Sequence, residues 1–269
     1  MKRIYVDASL TVGTTTNLDD RNSHYLLRVL RMRDGDTLTC FNGREAGDYL
    51  ATLQIDKKQA RLLIQQFKFV QAESTLTLTL IQAVTRKDRL DLIVQKATEL
   101  GVQQIIIVNA ERTQTPLKAT GTDKKLAHWH EIAVNAAEQS GRQFIPIIRF
   151  YPRLSECIQC LQHDSRTTWP MTEAPPEAAL PEAALPEAAL PEEALHLLFL
   201  PTATTAAWPL ANRPVYCWIG PEGGFSQAET AQIQTLNTQI LKLGPRILRA
   251  ETAAVAALTL CQHQLGDLR

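Results

Sequence analysis

The pattern of apolar positions changes character near residue 76. Before it, short runs between tight-turn signals predict a small, mostly β module over residues 1–70. Met1-Lys2-Arg3-Ile4-Tyr5 opens it as a strand. Asp34-Gly35 and Asn42-Gly43 are turn signals, with Thr37–Phe41 and Tyr49–Ile55 as the strands flanking the second. One helix is expected inside the module, Asp20 to Met32, with Leu26, Leu27, Val29 and Leu30 able to face a core. After residue 76 strands and helices alternate. Leu76–Ala83, Gln104–Val108, Ile145–Phe150, His196–Leu200, Val215–Ile219 and Gln239–Leu243 read as strands. Asp88–Leu100, Asp123–Ser140, Leu154–Leu161, Gln227–Leu236 and roughly Thr252–Leu265 read as helices. In Asp88–Leu100 the residues Leu90, Ile93, Ala97 and Leu100 share one face, and Gly101 supplies the stop. Such alternation predicts an α/β fold, a mostly parallel sheet with helices on both faces.

One stretch fits neither pattern. Pro176–Leu195 is PEAAL repeated three times and closed by PEEAL. A proline every fifth residue removes backbone donors too often for a continuous helix, and glutamate and alanine bury too little to make a core. The segment is expected to be a flexible surface insertion without catalytic content; a spacer or partner tail is the less favoured reading. It also distorts the charge balance. The whole chain carries 28 basic and 28 acidic residues, but setting aside the six glutamates of Met171–Leu195 leaves 28 against 22. The remainder is mildly basic, which permits an anionic partner. No apolar run approaches the roughly 18 residues of a membrane span, and the N-terminus lacks a signal-peptide stretch. The five cysteines lack disulfide-like spacing. A cytoplasmic location is the expectation.

Candidate chemistry concentrates in two loops. Trp218-Ile219-Gly220-Pro221-Glu222-Gly223-Gly224-Phe225-Ser226 follows a predicted strand and runs into Ser226-Gln227-Ala228-Glu229, a capping-box start. Leu243-Gly244-Pro245-Arg246-Ile247-Leu248-Arg249-Ala250-Glu251-Thr252 follows another. Glycines there let backbone groups approach a ligand. The spacing matches neither a dinucleotide fingerprint nor a phosphate-binding P-loop. Glu222 and Glu251 could act as a base, orient a substrate, or only complement a helix dipole. Arg249 lies two residues before Glu251, so an ion pair between them competes with an active-site role.

Other constellations have plainer alternatives. Arg21, His24, Arg28 and Arg31 share a face of the expected helix, either as a solvated stripe or as phosphate contacts. Nearby Lys2, Arg3 and Arg33 favour RNA. Asn135, Glu138, Gln139 and Arg142 share the end of another helix, facing water or lining a cleft. Cys157 and Cys160 are spaced as a CxxC but lack further ligands, so two ordinary cysteines are expected rather than a metal site. His128 and His130 diverge by about 200° on a helix and cannot chelate together.

VLRMRDGD (Val29–Asp36), DLIVQKATELGV (Asp91–Val102), AAEQSGR (Ala136–Arg142), IGPEGGFS (Ile219–Ser226), LGPRILRAET (Leu243–Thr252) and LGDL (Leu265–Leu268) occur in one order. By these motifs the chain resembles the RsmE family of bacterial methyltransferases, which act on N3 of one uridine in small-subunit ribosomal RNA. The resemblance covers nearly everything outside the PEAAL insertion. It implies a PUA-like RNA-binding β-barrel over 1–70 and a trefoil-knotted SPOUT domain over 74–269, interrupted at about 171–195. It also implies a homodimer, S-adenosylmethionine as cofactor, and ribosomal RNA, within the assembled small subunit, as substrate; no membrane or metal enters.

Carried onto this chain, the resemblance gives the cofactor to Leu200, Pro201, Ile219, Gly220, Pro221, Gly223, Gly224, Leu243, Gly244, Ile247 and Leu248. Leu200 stands where the family often has a polar residue or histidine, which leaves only a backbone contact there. The side with Glu138, Gln139 and Arg142 would approach the active site across the dimer interface. RNA would meet Arg3, Arg21, His24, Arg28, Arg31, Arg86 and Arg142.

The chemistry fits independently. A sulfonium cofactor with a neutral adenine needs backbone hydrogen bonds and an apolar slot rather than a lysine cradle, and neither Gly220–Gly224 nor Leu243–Arg249 contains a lysine. Uridine N3 must lose its proton, so a base, or a cation that stabilises charge developing on O2/O4, is required. Arg249 is expected to be the cation and Glu222 to remove the proton or hold the base. Two readings compete: a non-catalytic RNA-binding or ribosome-assembly protein, and an enzyme for another adenine-containing ligand.

Overall fold

The computed structural model describes residues 2–57, 59–163, 194–203, 208–209 and 213–268. All of the PEAAL segment before Ala194 lies outside the described residues. The chain divides into two compact units, one built from Met1–Glu73 with Ala137–Ile145, the other from most of the remainder.

The first unit holds β1 (Arg3–Tyr5), β2 (Thr15–Asn17), α1 (Asp20–His24), β3 (Thr37–Phe41), β4 (Gly47–Asp56) and β5 (Gln59–Phe69). They form a five-stranded sheet in the order β1-β3-β4-β5-β2, with β1–β3 parallel and the other pairings antiparallel. Along β4 buried and half-buried positions alternate, as the two-residue period of a strand with one core face requires. Leu38, Cys40, Ala51, Leu53, Leu62 and Ile64 gather on that face with Ile4 and Leu26.

The helix in this unit departs from expectation. Asp19 caps α1, its carboxylate accepting from Asn22 N at 2.7 Å. The chain then widens into a π-helical turn over Tyr25–Val29, where Leu30 N donates to Tyr25 O at 2.9 Å. The extra residue per turn rotates everything downstream around the axis. Leu26 stays in the core, whereas Val29, expected inside, is 58% exposed. Arg31, expected on the helix, lies beyond it with a left-handed φ of +51°. The regular stripe of Arg21, His24, Arg28 and Arg31 is therefore broken at its far end.

The second unit holds β6 (Leu78–Ala83), α2 (Lys87–Glu99), β7 (Gln104–Val108), α3 (Asp123–Ser140), β8 (Ile147–Tyr151), α4 (Leu154–His163), β9 (Leu195–Phe199), β10 (Val215–Ile219), α5 (Gln227–Ile233), β11 (Thr238–Leu241) and α6 (Ala250–Leu265). Six strands run in the order β11-β9-β10-β6-β7-β8, and every pairing is parallel. This is the α/β class the alternation predicted. Every residue of β6, β7 and β9 is buried, as for strands covered on both faces.

On β10, Trp218 packs with Ile81, Ile106, Leu154, Phe225 and Ile233 on the α4–α5 side. Its neighbour Cys217 points the other way, where its thiol lies 3.3 Å from that of Cys261 on α6. α2 buries Leu90, Ile93, Val94 and Ala97 and packs against α6. It stops at Gly101, φ +80°, a conformation open to glycine without strain. The chain winds outward from β6 to β8, then returns to β9 on the far side of β10. That reversal sets three strand ends, β9, β10 and β11, side by side.

Candidate functional site

Ligands of open α/β sheets bind outside the carboxyl ends of strands, at the point where the winding reverses. Here the loops leaving β9 and β11 enclose a cleft lined by Phe199, Leu200, Pro201, Leu243, Gly244, Arg246, Leu248 and Ala253. Leu200 N donates to Leu241 O at 3.0 Å, which registers the two loops. The walls are apolar except for Arg246, and no carboxylate among the described residues lines them. Gly244 turns with φ +77°. Of the expected cofactor residues, Leu200, Pro201, Leu243, Gly244 and Leu248 meet here. Ile247 does not; its side chain is 87% exposed.

Ile219, Gly220, Pro221, Gly223 and Gly224 belong to the adjoining loop after β10. Ile219 is itself buried. Gly224 N donates to Pro221 O at 2.9 Å and closes a turn that needs φ +67° at Gly224. A Cβ on Gly220 would stand 3.2 Å from Phe225 N, and one on Gly223 would stand 3.0 Å from Arg112 Cβ. Beyond the loop, Ser226 and Glu229 form the capping box expected of them. Glu229 also accepts from Glu111 N at 2.8 Å, which ties this loop to the segment after β7.

One cation links the acidic groups. Arg89, in the first turn of α2, donates to Glu222 Oε1 at 2.8 Å, and its Nε lies 3.8 Å from Glu251 Oε1. Glu222 is therefore held rather than free. Glu251 pairs with Arg89 and not with Arg249, which removes the ion pair that competed for Arg249. The other oxygen of Glu251, Oε2, is buried without a partner among the described residues. Arg249 occupies the N-cap position of α6 and is exposed. Sequence reasoning missed Arg89. Its signal was electrostatic: Arg86, Lys87 and Arg89 crowd a helix N-terminus, where the macrodipole disfavours cations unless something anionic meets them.

The expected RNA contacts divide. Arg3 donates to Asp48 Oδ1 at 2.9 Å and to Arg142 O at 2.6 Å, and its guanidinium lies 3.7 Å over the Phe41 ring. Arg142 is 3% exposed and donates to Glu73 Oε2 at 2.7 Å. Both guanidiniums are engaged inside the first unit, so neither is presented to RNA. Glu138 likewise accepts from Tyr5 N at 2.8 Å. The helix end expected at the active site thus supplies Glu138 and Arg142 to the first unit's own packing. Arg21, His24, Arg28 and Arg31 are exposed in that unit, as Arg86 is in the second.

Two further groups are structural. His196 on β9 accepts from Trp218 Nε1 at 3.0 Å through Nδ1 and stacks on Tyr216 at 4.8 Å between ring centroids. Burial pushes its imidazole down to about 4. In the CxxC, Cys157 is buried with its thiol pushed up to about 12 by desolvation, while Cys160 accepts from Tyr151 Oη at 3.0 Å.

An all-parallel α/β sheet whose cleft at the winding reversal holds no lysine among the described residues, in a chain that also has a small β unit carrying exposed cations, fits the class of RNA-modifying proteins. Residues 72–262 match the model of an RNA methyltransferase domain, and residues 18–65 that of an RNA methyltransferase PUA domain. Ribosomal RNA small subunit methyltransferase E of Buchnera aphidicola subsp. Schizaphis graminum is 30% identical over 99% of this chain and 97% of its own. The methyltransferase Lpg2936 of Legionella pneumophila, solved with bound SAM, is 32% identical with a TM-score of 0.81 over 99% of each chain. Ribosomal RNA small subunit methyltransferase E of Neisseria gonorrhoeae, solved bound to S-adenosyl methionine, is 30% identical with a TM-score of 0.80 over 100% of each chain. The chain belongs to the RNA methyltransferase family, in the group represented by ribosomal RNA small subunit methyltransferase E.

Proposed function

We propose that the protein transfers a methyl group from S-adenosylmethionine to N3 of one uridine in small-subunit ribosomal RNA. The observation that carries this is the cleft between the loops after β9 and β11, apolar except for Arg246 and without carboxylate or lysine among the described residues. That is the donor set a neutral adenine and a sulfonium require. Phe199, Leu200, Leu243 and Leu248 supply the apolar slot, and the turns at Gly224 and Gly244 bring backbone close. When bound, the cofactor supplies an electrophilic methyl group on sulfur.

The protein's share is positioning and electrostatics. Uridine N3 becomes nucleophilic only as its proton leaves, and the charge spreads to O2 and O4. Arg249, exposed at the N-cap of α6, stabilises that charge. Glu222, fixed in direction by Arg89, accepts the N3 proton or holds the base. In this reading residues 1–70 bind RNA and residues 74–269 carry the reaction. Arg21, His24, Arg28, Arg31 and Arg86 meet phosphates. The enzyme works as a cytoplasmic homodimer on the assembled small subunit.

The test is methyl transfer from labelled S-adenosylmethionine to small subunits that lack the modification, with nucleoside mass spectrometry of the product. N3-methyluridine is expected. A different methylated nucleoside, or cofactor binding with no transfer to subunits or free RNA, would overturn the assignment.

A further inference from the structure

The first unit carries a second cleft, which the methyl-transfer chemistry does not use. It is open on one side, about 400 Å³ in volume, and lies along α1 and the π-helical turn, with Tyr25, Val29, Arg21, His24 and Glu138 in its lining. Resting on the RNA substrate proposed above, we infer that this cleft is a subsite for one unstacked nucleobase of that RNA, with Tyr25 as its stacking platform.

The backbone builds the cleft. A regular α-helix running to Met32 would carry Val29 inward, as its spacing predicts. The π-helical turn instead leaves Val29 58% exposed, in the lining of the same concavity as Tyr25, which is 38% exposed. The left-handed Arg31 follows two residues later. π-turns and non-glycine left-handed residues are costly features that gather where a backbone serves a ligand. The fixed wall is firm. Glu138 accepts from Tyr5 N at 2.8 Å, and the nearly buried Asn22 donates to Tyr5 O at 3.0 Å.

The chemistry selects the occupant. An aromatic ring with an aliphatic neighbour offers a base its flat faces. The Asp20 carboxylate can accept from base N–H groups, and the imidazole of His24 lies in the same lining. Arg28, exposed on the same turn, suits the adjoining phosphates. Single-stranded RNA is read in this way, by stacking on aromatic side chains with hydrogen bonds to the base edge. A cleft of this size accepts a small ligand rather than a folded partner, and its mixed polar rim is unlike the apolar centre of a protein interface.

The experiment uses the full chain and a short single-stranded RNA carrying one 5-iodouridine, photo-crosslinked and mapped by peptide mass spectrometry, beside RNA affinities of Tyr25→Ala and Tyr25→Trp. The crosslink should fall on Tyr25. Tyr25→Ala should weaken RNA binding by roughly tenfold, Tyr25→Trp should hold it, and S-adenosylmethionine affinity should stay unchanged in both. Because Tyr25 is exposed, the substitutions leave the core intact, which circular dichroism verifies. Wild-type affinity in Tyr25→Ala with crosslinks elsewhere would overturn the subsite. Failure of the wild type to methylate any RNA would sink the proposed reaction instead, while the binding titration would still judge the cleft.

Discussion

Lowering the pH from 7 to 5 should destabilise the second unit through one residue, His196. Its Nδ1 lone pair is occupied by Trp218 Nε1–H at 3.0 Å, and its ring lies between β9 and β10 against Tyr216. Protonation would break that hydrogen bond and place a charge in the core. Burial lowers the imidazole from 6.5 to about 4, so between these values the unfolded chain binds a proton that the native state refuses. Stability from this residue is fully present above the unfolded value and is lost as the pH falls through it, levelling off below the folded one.

With these two values the linkage relation gives a loss of about 2 kcal/mol between pH 7 and pH 5. His196→Asn and His196→Gln keep a neutral acceptor near Trp218 and cannot titrate. Urea unfolding of the wild type and both variants at the two pH values isolates the effect, because ordinary carboxylates titrate alike in all three. The wild type should lose about 2 kcal/mol more than either variant. Parallel losses, or an imidazole resonance that titrates near 6.5 in the folded protein, would refute the reasoning.

Arg249→Ala should lower methyl transfer by about a hundredfold or more, the cost of removing one preorganised charge-stabilising group, and leave cofactor affinity unchanged; full activity would dismiss the role. Arg89→Ala should weaken both cofactor binding and turnover, because it releases Glu222 and leaves the partly satisfied Glu251 without its cation. Arg89→Lys should recover part of each, measured by calorimetry and single-turnover kinetics. Arg142→Ala should destabilise the first unit by about 2–3 kcal/mol in chemical unfolding, since it removes the buried cation of Glu73, which keeps only its bonds from Gln143 N and Phe144 N; a change only in RNA affinity would restore Arg142 as an RNA contact. Replacing Arg28 and Arg31 together by alanine should flatten the dependence of RNA affinity on salt, by about 1.4 in the log–log slope for two lost single-strand phosphate contacts. An unchanged slope would remove them from the RNA surface.

The sequence by itself determined most of the second unit. Gln104–Val108, Asp123–Ser140 and Val215–Ile219 fold over the spans their patterns define, as Thr37–Phe41 does in the first unit. The capping box at Ser226 and Glu229 and the glycine stop at Gly101 form where the residues announce them. These signals are local. A buried parallel strand must be apolar throughout, a helix must repeat every few residues, and a cap needs a particular side chain at a particular offset. The two glycine loops were legible for the same reason.

Tertiary structure decided the rest, because it depends on what lies opposite in space. Thr15–Asn17 has no apolar residue and becomes a strand only by pairing with β5 at the sheet edge. Phe199 completes the cleft because β9 sits beside β11, forty residues onward in the chain. Arg3 and Arg142 read as surface cations until Asp48 and Glu73 close on them. Arg89 reaches Glu222 and Glu251 across more than a hundred residues. The π-helical turn that exposes Val29 leaves no trace in the spacing, since one additional residue per turn is a choice made by packing. Periodicity fixes which residues turn inward within an element; which charges meet between elements is set only once the elements have docked.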